Sequence, residues 1–266
     1  MFIIIAQKSV KLTNIRKVLL FSKKQTLKWK IRWRLNISFV QYVLTMKIII
    51  TGSTGMVGKA VLLESIDDTR VTEVLLINRS PLSISHPKVK EVIHKDFMDF
   101  TAIQEQLDGF DMCCHCMGVS SAGMSEEQYT ELTYGISKSL ATTLYSLNPD
   151  MVFIYVSGTG TDSTEKGSTM WARVKGKTEN MILQMGFKDS YMFRPGIILP
   201  ERGIESKTSL YNIFYVIARP LFPLLKKVKS ITTTTKIGKA MINTYFYPQP
   251  LKHLEGKDIN EMALKG

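Results

Sequence analysis

Residues 46–59 read Met-Lys-Ile-Ile-Ile-Thr-Gly-Ser-Thr-Gly-Met-Val-Gly-Lys. An apolar run, Ile48 to Ile50, stops at glycines spaced as Gly52, Gly55 and Gly58. A helical pattern follows, with Met56, Val57, Val61, Leu62 and Leu63 apolar. Strand, glycine turn, helix is the geometry that holds a dinucleotide pyrophosphate. The turn needs glycine where a Cβ would block tight bending, and the helix N-terminus offers free N–H groups and a positive dipole end to phosphate. Gly52, Ser53, Thr54, Gly55, Met56, Val57 and Gly58 are therefore candidate cofactor-binding residues. The competing phosphate loop of ATPases fails. Five residues separate Gly52 from Gly58-Lys59 where four are needed, and Ala60 stands where Ser or Thr would hold magnesium.

Beyond Met46 short apolar strands alternate with helical segments, the pattern of a parallel sheet covered on both faces. Strands are expected at Lys47–Thr51, Glu73–Ile77, Val89–His94, Asp111–Cys116, Met151–Ser157 and Ser190–Arg194. The clearest helices are Met56–Ser65, Glu126–Leu147 and Met170–Met185, with further ones at Ile237–Phe246 and Leu254–Ala263. The expected fold is α/β, a Rossmann-type doubly wound parallel sheet over 46–266. A small C-terminal substrate-covering region is expected over about residues 197–266. Within it, Ser209–Lys227 is apolar with proline bends and reads as a lid helix, or alternatively as a membrane-surface helix ending in Lys226, Lys227 and Lys229.

The formal net charge of +12 is unevenly spread. Residues 1–45 hold ten Lys or Arg and no acid, which leaves 25 basic against 23 acidic residues in 46–266. A near-neutral body gives no electrostatic case for nucleic-acid binding. The basic extension reads as sequence upstream of a natural start at Met46, as an import-type segment, or as an arm for an anionic surface. No stretch reaches the ~18–20 apolar residues of a membrane span. Cys113, Cys114 and Cys116 crowd one strand, where neighbours point to opposite faces, so neither a disulfide framework nor a metal site with His115 is expected. A reducing, cytoplasmic location is expected.

The end of the second strand selects the cofactor. NAD readers place Asp or Glu about 20 residues past the glycines, to bond the ribose 2′-hydroxyl. Here the chain reads Ile77-Asn78-Arg79-Ser80. Arg79 is suited to pair with a 2′-phosphate and no carboxylate stands there to repel it, so NADP is expected over NAD, with Asn78 and Arg79 as contacts. At the third strand's end, Asp96 is a candidate for the adenine amino group, or for a structural turn, with Phe97 beside the ring. Gly118 follows the fourth strand and should also face the cofactor.

The fifth strand runs into Ser157-Gly-Thr159, and the next helix carries Trp171-Ala-Arg-Val-Lys175-Gly-Lys-Thr-Glu179. With the glycine pattern and Arg194-Pro195-Gly196, these motifs resemble the short-chain dehydrogenase/reductase superfamily. The likeness is to its extended and atypical branches, the NAD-dependent epimerase/dehydratase-like and NmrA-like proteins. The resemblance covers essentially all of 46–266 and none of 1–45. It implies an oxidoreductase or epimerase-like enzyme acting on a small carbonyl or hydroxyl compound. In that family Ser or Thr orients the substrate, and a Tyr four residues before a Lys moves the proton. Lys175 matches the lysine; Ser157 or Thr159 matches the hydroxyl; Arg194 and Pro195 fall on the cofactor and substrate side. The tyrosine position is Trp171, whose indole N–H donates but exchanges no proton near neutral pH. Tyr134 and Tyr155 are the replacement phenols to consider. The alternative is a non-catalytic NADP-binding regulatory or interaction protein.

Overall fold

The computed structural model describes residues 44–205, 222–226 and 228–265. Seven strands form one sheet: β1 (Met46–Thr51), β2 (Val71–Asn78), β3 (Val89–Ile93), β4 (Met112–His115), β5 (Val152–Val156), β6 (Asp189–Arg194) and β9 (His253–Glu255). Their order is β3-β2-β1-β4-β5-β6-β9, and every pairing is parallel. A separate two-stranded pair joins β7 (Ile198–Leu199) to β8 (Thr232–Thr233). The helices are α1 (Met56–Asp67), α2 (Glu126–Thr130), α3 (Ile136–Leu147), α4 (Met170–Gln184), α5 (Phe222–Leu225), α6 (Thr234–Phe246) and α7 (Gly256–Met262). A π-helical segment, Glu131–Gly135, joins α2 to α3.

Strands buried on both faces read as continuous apolar runs because each face meets helices. Alternate residues feed two cores. Ile48, Ile50, Cys114 and Ile154 pack with Val61, Leu62, Ile237, Met241 and Ile259 of α1, α6 and α7. Ile49, Cys113, Phe153 and Tyr155 pack with Leu140, Leu144 and Ile182 of α3 and α4. The adjacent cysteines thus divide between the two layers as small core residues. Burial pushes both thiols well above the usual range. Among the described residues no cluster of His, Cys, Asp and Glu is arranged to hold a metal.

The chain leaves β1 toward β2 and β3, then returns to β4 on the other side of β1. Thr51 lies opposite His115 where these two strands end. That reversal opens a crevice at the carboxyl ends of the strands, the usual ligand position in such sheets.

Two features escaped the sequence reading. His253–Glu255 forms a seventh strand against β6, where helix was expected from Leu254. The helix from Glu126 is interrupted by a π-turn, although Ser125 opens it with a capping box to Gln128. Within the region expected to cover a substrate, α6 and α7 join the main core on α1's side of the sheet. The expected lid over Ser209–Lys227 falls mostly outside the described residues. No helix among the described residues is long and apolar enough to cross a membrane.

Candidate functional site

The glycine turn is built by close backbone approach. Gly52 has φ +72°, and a Cβ there would lie 2.7 Å from the Cys116 carbonyl oxygen. A Cβ on Gly58 would lie 2.3 Å from the Gly52 carbonyl oxygen, so only glycine lets α1 start against the turn. Gly55 is the N-cap of α1, and its N–H donates to the Gly52 carbonyl at 2.9 Å. Among the described residues no side chain caps α1, and its first turn carries no acid. The helix end therefore keeps its positive field and donors for an anion. Met56 and Val57 turn inward against the core, while Thr54 is exposed.

Ser53 and Asn78 are buried and joined: the Ser53 hydroxyl donates to Asn78 Oδ1 at 2.8 Å. Asn78 Nδ2 donates to Glu91 Oε1 at 2.6 Å, which also accepts from the Leu82 N–H at 2.9 Å. Glu91 was missed because it comes from β3, far in sequence from the glycines. Arg79 is exposed, and no ion pair or hydrogen bond from it forms among the described residues. Asp96 is exposed and accepts from the Met98 N–H at 2.9 Å, a turn contact. The expectation for Phe97 needs correction. Its ring is 4% exposed and packs edge-on against Phe100, centroids 5.6 Å apart, so no open face remains for adenine. Gly118 is exposed just past β4 with open space at its Cβ position.

The second half of the site centres on Glu179, a carboxylate with no solvent exposure. It accepts from the Ser157 hydroxyl at 2.5 Å, from Arg194 Nε at 2.9 Å and from a terminal Arg194 nitrogen. His253 Nε2, brought in by β9, lies 3.5 Å away. Arg194 also donates to Ser163, so its Nε and one terminal nitrogen are engaged within the protein. The hydrogen bonds that Arg194 donates to Glu179 hold the guanidinium pKa above its usual value. Pro195 is buried, and its carbonyl accepts from the Thr159 N–H at 3.1 Å. Glu179 was visible in sequence as the residue four past Lys175 on one helix face; its Ser157 and Arg194 partners were not.

Lys175 donates to the Ser157 carbonyl oxygen. Burial lowers its pKa, with the Glu179 charge opposing. Its ammonium lies 6.0 Å from the Trp171 ring centroid. Trp171 packs over Gly160, φ +82°, where a Cβ would sit 3.5 Å from the indole. Of the two candidate hydroxyls, Ser157 is 4% exposed and turned to Glu179. Thr159 is exposed and donates to Glu255 at 3.2 Å. Neither replacement phenol meets Lys175. Tyr155 is 1% exposed, stacks on His115 with centroids 5.7 Å apart, and is held far above the usual phenol range by burial. Tyr134 sits beside Lys177, whose ammonium is 4.9 Å from its ring.

A glycine turn after β1, an α1 without a side-chain cap among the described residues and a parallel sheet whose strand order reverses at β1 and β4 define a Rossmann-type fold of the NAD(P)-binding kind. Residues 48–178 match the NAD dependent epimerase/dehydratase family. Over that segment, just under half of its length, the chain is similar to that family. Among solved structures, Helicobacter pylori ADP-L-glycero-D-manno-heptose-6-epimerase superposes with TM-score 0.59 at 15% identity, covering 83% of this chain and 82% of that one. Bordetella bronchiseptica WbmH, solved with NAD+, gives TM-score 0.57 at 16% identity, covering 76% and 72%. Curated relatives include the mitochondrial protein FMP52 of Meyerozyma guilliermondii, 24% identical over 82% of this chain and 95% of its own length. The mitochondrial FMP52-1 of Scheffersomyces stipitis is 25% identical over 66% of this chain and 79% of its own. The mitochondrial names of these relatives overturn the expectation of a cytoplasmic protein, which rested only on free cysteines; thiols also persist in other reducing compartments.

Proposed function

We propose that this protein binds NADP(H) at the β1/β4 switch point and serves as an oxidoreductase or epimerase-like enzyme on a small carbonyl or hydroxyl compound. The observation that carries the reading is the glycine cradle, in which Cβ atoms at Gly52 and Gly58 would collide with backbone beside an uncapped helix end. Main-chain amides after Thr51 hold the diphosphate, and Arg79, exposed and without a partner among the described residues, takes the 2′-phosphate. Lys175, fixed by the Ser157 carbonyl, is the cation on the ribose side. When bound, the nicotinamide supplies hydride chemistry. Thr159 orients the substrate oxygen, because it is exposed and exchanges its long 3.2 Å contact to Glu255, whereas Ser157 is buried and held to Glu179. Mitochondrial location is part of the proposal. The names of the relatives support it, as does a basic, acid-free segment at residues 1–45.

A second reading has its own support. Trp171 replaces the family's proton donor and Ser157 is occupied, which favours an NADP-binding regulatory or interaction protein without turnover.

Titration of the full chain with NADPH and NADH tests the binding claim. NADPH should bind more tightly, and Arg79→Ala should weaken NADPH by about tenfold or more while leaving NADH unchanged, as expected for one charge-assisted contact. Equal affinities throughout would remove the NADP preference, and no binding of either would end the reading. Turnover of a carbonyl panel by wild type supports the enzyme. Activity gained only in Trp171→Tyr supports the silent binding protein.

A further inference from the structure

Charge in this chain is segregated a second time, away from the cofactor crevice. Residues 46–221 carry 17 basic and 20 acidic side chains, whereas residues 222–266 carry eight lysines against three acids. In the fold four of these lysines gather. Lys226, Lys229, Lys236 and Lys257 line one shallow cleft of about 200 Å³, with Glu261 as the one carboxylate in its wall. Lys226 pairs with Glu201 at 2.5 Å, and Lys257 with Glu261 at 3.8 Å in an exposed contact that holds little. No ion pair or hydrogen bond from the ammoniums of Lys229 and Lys236 forms among the described residues.

The same cleft exposes apolar side chains. Val228 is 44% exposed and Leu264 is 79% exposed, and both line it; Leu224, 63% exposed, lies just before them on α5. The frame beneath is tied by hydrogen bonds and close backbone packing. Asn260 Nδ2 donates to the carbonyls of Lys229 and Ile231, each at 2.9 Å. A Cβ on Gly256 would lie 2.2 Å from the Ser230 carbonyl oxygen, so α7 and the segment before β8 pack at backbone contact.

We infer that this lysine-rimmed apolar edge, between the segment after α5 and helix α7, docks the protein on an anionic phospholipid surface. A free phosphate or a nucleic acid satisfies the lysines but gives Val228 and Leu264 nothing to bury them. A membrane interface takes both, with ammoniums at the headgroups and aliphatic side chains below them. Charge complementarity is local, since residues 46–221 are net acidic and are repelled by the same surface.

Flotation of the full chain with vesicles tests the inference. Wild type should float with phosphatidylcholine vesicles containing phosphatidylserine, not with phosphatidylcholine alone, and high salt should release it. The triple variant Lys229→Glu, Lys236→Glu, Lys257→Glu should cut partitioning at least about tenfold, and the matching Lys→Arg triple should retain it. Leu264→Ser with Leu224→Ser should reduce it several-fold. All of these variants should melt with wild type, since the changed side chains lie at the surface. Flotation of the Glu triple variant at the wild-type level would sink the idea and assign binding to the basic residues of 1–45. Unchanged flotation of the serine variant would reduce the edge to a plain polyanion surface, and release by inorganic phosphate at matched ionic strength would make it a small-anion site. Either outcome overturns the inference.

Discussion

His115 lies fully buried at the end of β4, between two hydroxyls. Ser137 spends its one proton on the Thr133 carbonyl at 2.6 Å, so it accepts from His115 Nε2 at 3.0 Å. The proton is therefore on Nε2, and Nδ1 accepts from the Thr51 hydroxyl at 2.7 Å. This chain of bonds ties the last residue of β1 to the π-turn and α3. Burial lowers the imidazole pKa from 6.5 to about 4. The unfolded chain thus takes up this proton before the folded one does. Stability should fall as pH drops from about 6.5 toward 4, by up to about 3 kcal/mol from this group, and then level off. Urea unfolding of wild type and His115→Gln at pH 7 and pH 4.5 checks it: the loss between the two pH values should shrink in the variant. In the sequence His115 was legible only as the odd residue of a cysteine-rich strand. Its partners Thr51 and Ser137 are 64 and 22 residues away. Glu91 was hidden in the same way, since only β3 beside β2 brings it to Asn78.

The loop after β5 and helix α4 act as one unit. The Asp162 N–H donates to the Ala172 carbonyl at 3.1 Å, and Asp162 folds the loop by accepting from Thr164 and Gly167. A Cβ on Gly176 would lie 1.8 Å from the Asp162 carbonyl oxygen, so the helix reaches the loop only because position 176 is glycine. Gly176→Ala should destabilise the protein by about 1–3 kcal/mol through overpacking, lower its melting temperature by several degrees and displace Trp171. Gly118→Ala, where a Cβ meets open space, should melt with wild type. Calorimetry of both variants makes the comparison. Strands β1 to β6 and helices α1 and α4 were legible because their apolar runs match the period of the element they form. The three-residue β9 was not, since His253-Leu-Glu255 carries one apolar residue and becomes a strand only by pairing with the edge of β6. Its absence from the sequence reading also hid His253 beside Glu179.

At the scale of the molecule, the sheet reversal and the segregated charge are the two organising facts. A ligand that binds only the folded protein stabilises it by mass action. NADPH at about 100 times its dissociation constant should add about 2.7 kcal/mol and raise the melting temperature by several degrees. Thermal scans of the full chain with NADPH, NADH and neither check this, and no shift with either would remove the cofactor from the account. The sequence by itself determined the class of fold, the glycine turn and the departure at Trp171, because local periodicity and missing Cβ atoms act within a few residues. Only the tertiary structure decided which side chains stay free to act. Burial took Phe97 and Tyr155 out of reach, Glu179 claimed Ser157 and Arg194, and lysines far apart in sequence came to one edge. Such pairings depend on how strands and helices are brought side by side, and hydrophobic period carries no record of that.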